Sequence, residues 1–110
     1  MVIFRSFLVI VFVALCAYTV AVIADHGMGL FGVFFGDIMK LGWPGQFNAD
    51  FLAMLAMSAL WVAWRHGFSP AGLGLATLAF FGGAPFLCVY LFLLSLETNG
   101  DVREMLVGAN

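Results

Sequence analysis

No charged side chain lies between Arg5 and Asp25, between Asp50 and Arg65, or between Arg65 and Glu97. A helix rises ~1.5 Å per residue and a bilayer core is ~30 Å thick, so about 20 apolar residues cross it. The three uncharged runs reach or approach that length. They predict an all-α integral membrane protein with three transmembrane helices. The composition agrees, with 65% hydrophobic and 9% charged residues. A soluble domain carries about 25% charged residues and cannot hide so much apolar surface. The 110 residues suffice for one membrane domain.

The first helix is expected at about residues 2–24. Its opening, Arg5 followed by an apolar stretch, also has the look of a signal peptide. That stretch exceeds the ~7–15 residues of a signal core, which favours a retained helix. Ala14, Ala17, Ala21 and Ala24 recur three or four apart and give it a small-residue stripe. Residues 27–41 are apolar but punctuated by Gly27, Gly29, Gly32 and Gly36. They read as a short interfacial segment between helices 1 and 2.

The second helix is expected at about 48–65. Asn48 would be its N-cap and Asp50 would sit in its first turn, where the helix dipole favours a negative charge. The third is expected at about 70–96. Ser69-Pro70 supplies a cap and a first-turn proline, and Asn99-Gly100 a stop. Gly72, Ala76, Ala79 and Gly83 form its small face. Pro85 lacks a backbone donor and crowds the preceding turn, so Gly82, Gly83 and Pro85 mark a kink or hinge. Residues 100–110 read as a surface tail, with Asp101 and Glu104 at capping-box spacing.

With the N-terminus in the cytoplasm, three crossings leave the C-terminus outside. Arg5 and Arg65 then lie inside, and Lys40 and Arg103 outside. The basic residues split two and two, so the positive-inside count does not decide. The unaccompanied state of Arg5 and Arg65 favours this orientation in a bacterial inner (cytoplasmic) membrane. Trp43 near one end of the second helix, and Trp61 and Trp64 near the other, fit aromatic belts.

The candidate chemistry is sparse. His26 and His66 follow successive antiparallel helices and cannot share one metal or haem. Each alone could ligate a chlorophyll-type pigment or a haem; an interfacial histidine is the simpler expectation. Asp50 with Asn48 could hold an ion or ligand, against a capping role. Arg65 could hold a lipid headgroup, against plain snorkelling. Cys16 and Cys88 both fall in apolar runs and read as buried, unreactive thiols. No CxxC, HExxH, phosphate loop or Ser/His/Asp grouping occurs, so no catalytic residue, metal site or resident cofactor is expected. The net charge of −2 argues against nucleic acid.

Phe47-Asn48-Ala49-Asp50-Phe51, Ser58-Ala59-Leu60, and Gly83-Ala84-Pro85-Phe86-Leu87 with Tyr90-Leu91 resemble a family of short bacterial and algal three-helix membrane proteins catalogued as a domain of unknown function. The likeness spans residues 47–94. It implies the helical fold and brings no activity. In that family the loop after the second helix carries more charge than Arg65-His66-Gly67-Phe68 does here.

The expected function is that of a non-enzymatic accessory or structural subunit. It would pack against a larger membrane complex, with bound lipid or pigment. The alternative is a homo-oligomeric small transporter or channel using Asp50, Asn48 and the Pro85 kink.

Overall fold

A computed structural model describes residues 1–108. Ala109 and Asn110, the end of the expected tail, lie outside the described residues. The elements are all helices: α1 (Val2–His26), α2 (Leu30–Met39), α3 (Trp43–Arg65), α4 (Pro70–Glu97) and α5 (Val102–Val107). By length and composition α1, α3 and α4 are apolar and long enough to cross a membrane.

α3 starts five residues earlier than the sequence suggests. Gly42 is its extended N-cap and Pro44 occupies the first turn, where a missing N–H costs nothing. The helix therefore spans about 34 Å and needs no thinned bilayer. Asn48 is not the cap, and Asp50 lies in the third turn rather than the first. α2 folds back along the first turns of α3 instead of standing apart. Gly45 permits this: a Cβ there would collide with the Asp37 carbonyl and come within 2.9 Å of Ile38 Cα. One turn on, Asn48 Nδ2 donates to the Phe34 carbonyl at 3.1 Å.

α4 begins where Ser69 and Pro70 predict. The Ser69 hydroxyl accepts from the Gly72 N–H at 3.1 Å. The expected kink is present but is far larger than a bend. Gly83 has φ 59° and ψ −142°, outside any helical region. A straight helix would carry Tyr90 about 30 Å beyond Pro70. Yet the Tyr90 hydroxyl lies 2.6 Å from His66 Nε2, and His66 precedes the helix. The chain therefore reverses at Gly83. Residues 70–82 form one arm, and residues 84–97 run back beside it.

The small residues of the first arm make this possible. Gly72, Ala76, Ala79 and Gly83 are all buried. Ala76 and Ala79 share one core cluster with Tyr90 and Leu94 of the second arm, Val62 and Ala63 of α3, and Met105 of α5. In lipid, helices gain little from apolar burial alone, and close backbone approach along small faces supplies the attraction. The turn itself is equally tight. A Cβ on Gly82 would stand 2.7 Å from Phe86 Cβ. Pro85 falls in the first turn of the second arm, where it satisfies helix geometry rather than breaking it.

α1 pairs with the second arm of α4. Arg5 meets Ser95, and Leu8, Val9 and Phe12 face Cys88, Val89, Phe92 and Leu93. From Ala17 to His26 every residue of α1 is exposed. Residues 1 and 100, which a straight third crossing would hold apart, meet in the fold. Met1 packs on Gly100, where an added Cβ would come within 2.7 Å of Met1 Cγ. Met1 and α5 gather at one end of the molecule, because the reversal at Gly83 returns α4 to the level from which it started.

Candidate functional site

The polar side chains converge at that shared end. Arg5 lies in the first turn of α1. Its Nε donates to Ser95 Oγ at 2.8 Å and a terminal nitrogen donates to the Ser95 carbonyl at 2.8 Å. Ser95 is fully buried and its hydroxyl donates to the Phe92 carbonyl at 2.6 Å. The last carbonyls of a helix have no intrahelical partner, and a cation there also meets the negative end of the dipole. Arg5 thus closes the C-terminal end of α4.

Arg65 performs the same service for α5. It donates to the carbonyls of Met105 at 2.6 Å and Glu104 at 3.0 Å. Trp61 Nε1 donates to the Leu106 carbonyl at 2.8 Å. Three successive carbonyls of the short helix are therefore held from α3. The other end of α5 is capped as the sequence predicts, with Asp101 accepting from the Glu104 N–H at 3.3 Å. Gly108 lies so close that a Cβ would come 2.8 Å from the Arg65 carbonyl oxygen. Arg65 is thereby committed to protein carbonyls rather than standing out toward headgroups.

Between these clamps lies an aromatic cluster. Tyr90 is buried, stacks on Phe86 at 5.5 Å between ring centroids, and meets the edge of Trp61 at 5.8 Å. Its hydroxyl shares the short bond with His66, whose donor and acceptor roles follow the histidine tautomer. The arrangement fixes the second arm of α4 to α3 and to the connection that precedes the first arm.

The remaining candidates are scattered. His26 ends α1, separated from Arg5 by about 31 Å of helix, and is exposed. It and His66 lie at opposite ends of the molecule. Asp50 is exposed on α3 and makes no hydrogen bond or ion pair among the described residues. Asn48 turns toward α2, so the two do not form a joint site. Trp43 is exposed and stacks on Phe47 at 6.0 Å. Trp64 is also exposed. Among the described residues no three His, Cys, Asp or Glu side chains gather as a metal site would require. An apolar groove of about 200 Å³ runs between α1 and the second arm of α4, lined by Leu8, Phe12, Cys88 and Phe92 among others. That is below the ~300 Å³ at which small-molecule pockets begin.

No family model, curated protein or solved structure matches this chain. The likeness noted over residues 47–94 therefore adds nothing to the site.

Sequence reasoning found Ser69, Asp101 and the glycines of the turn because each acts on its neighbours. It missed Arg5 and Ser95. Arg5 and Ser95 are joined across 90 positions. The one signal available was an arginine standing without an acid in an apolar setting, which asks for another acceptor.

Proposed function

We propose that this chain is a non-enzymatic packing subunit that seats against a larger membrane protein complex. The observation that carries the reading is the distal half of α1. Residues 17–26 bury nothing, although Ala17, Ala21 and Ala24 form a small-residue stripe suited to close helix approach. By contrast the small face of α4 is consumed inside the fold. The polar residues also support this reading, since most hold helices together. Lipid acyl chains fill the shallow groove beside α1.

Purification from native membranes in mild detergent tests the proposal. A stoichiometric second membrane protein is expected. A stable monomer with no co-purifying chain would sink the idea.

A second reading is a homo-oligomeric transporter or channel. It draws on Asp50, a carboxylate without a partner among the described residues, in the third turn of a spanning-length helix. Ionisable groups inside a membrane segment are costly and usually functional. Asp50→Asn should then abolish ion flux in liposomes. Unchanged flux, or none in the native protein, would count against it.

A further inference from the structure

We infer that α4 does not cross the membrane. It is a re-entrant hairpin that enters and leaves on the face where Arg5, Arg65 and α5 lie. The chain crosses only twice, through α1 and α3.

The argument starts from length. Arms of residues 70–82 and 84–97 reach about 20 Å each, short of the ~30 Å hydrocarbon core. The turn between them sits at mid-depth. A Cβ at Gly83 would stand 3.2 Å from Phe51 Cζ and 3.5 Å from Leu55 Cδ2. Those residues lie about 21 Å and 15 Å of helix from Arg65, near the middle of α3. The far ends of the arms return to one level. His66, just before the first arm, bonds Tyr90 of the second, and Arg65 bonds the carbonyls of α5 beyond it.

Non-helical backbone is tolerated at membrane depth only where protein or water covers it. Gly83 is buried against α3, so this turn meets the condition. A straight third crossing would break both the Arg65 and the Arg5 clamps.

The hairpin also resolves the charge distribution. Three crossings split the four basic residues evenly between the faces. With α4 re-entrant, Arg5, Arg65 and Arg103 share one face and Lys40 alone lies on the other. A three-to-one bias places the shared face in the cytoplasm under the positive-inside rule. In the opposite leaflet α2 packs on α3, while distal α1 has no helix beside it among the described residues.

Cysteine accessibility in sealed vesicles and intact cells tests this. Cys16→Ala and Cys88→Ala remove the native thiols. Single cysteines then replace Met28, Phe68 and Val102, each exposed in a connection or the tail helix. A folded background is verified by circular dichroism before labelling. A membrane-impermeant maleimide should reach Phe68→Cys and Val102→Cys only from the cytoplasmic face, and Met28→Cys only from outside. Labelling of Phe68→Cys and Val102→Cys from opposite faces would overturn the hairpin. Labelling of both from outside would overturn the cytoplasmic assignment.

Discussion

Gly83→Ala is the sharpest perturbation of this fold. The residue combines φ 59° with ψ −142°, a conformation open to glycine and strained for any residue with a Cβ. Holding such a backbone costs about 1–3 kcal/mol. The new methyl would also press on the Phe51 ring at 3.2 Å and Leu55 at 3.5 Å, adding about 1 kcal/mol of crowding. The two terms together predict a loss of about 2–4 kcal/mol. Gly74→Ala is the matched control. Gly74 lies in the regular part of the first arm with nothing within 4 Å of an added Cβ. There alanine should stabilise by about 0.5–1 kcal/mol through helix propensity. Reversible unfolding by sodium dodecyl sulfate titration in mixed micelles, followed by circular dichroism, measures both. A Gly83→Ala protein as stable as the parent would refute the reversal at this residue. So would Gly83→Ala and Gly74→Ala shifting together in the same direction.

Pro85→Ala should change stability by under about 1 kcal/mol in the same assay, because a first-turn proline forfeits no helical hydrogen bond; a gain of ~3 kcal/mol would instead reveal a mid-helix proline. Arg65→Ala should release α5 and cost about 2 kcal/mol from charge-assisted bonds, read as faster proteolysis between residues 97 and 108. Tyr90→Phe should cost about 1 kcal/mol and move the His66 ring signals in a nitrogen-resolved NMR spectrum, since it removes the hydroxyl 2.6 Å from Nε2. An unchanged His66 spectrum would refute that contact.

Where the sequence was legible, the cause was local. Ser69 caps α4, Asp101 caps α5 and Asn99-Gly100 ends α4, each through neighbours a few residues away. The start of α3 was misjudged because Trp43-Pro44-Gly45 looks like a loop. A proline just inside a helix and a glycine packed on another backbone give the same letters. Asn48, a good cap by type, instead bonds α2. The reversal at Gly83 was seen only as a kink. A Gly-Pro pair in an apolar run fits a bend and a new helix start equally well. What separates them is the contact between Tyr90 and His66, which no local pattern announces. Arg65 was read as a membrane anchor, and Arg5 only as a basic flank of the first helix, for the same reason. Their acceptors are carbonyls at Ser95, Glu104 and Met105, far along the chain.

The pairing of α1 with residues 88–100 has a consequence for how the protein is made. Chains emerge at ~5–20 residues per second, so roughly 4.5–18 s pass between the synthesis of Arg5 and that of Ser95, 90 positions later. Throughout that interval α1 is in the bilayer without the helix it finally packs on, and Arg5 has no carbonyl to hold. A stop in translation before residue 95 would leave a helix free to associate with whatever neighbour is present. Residues 95–100 therefore act as a latch on the first turn of α1.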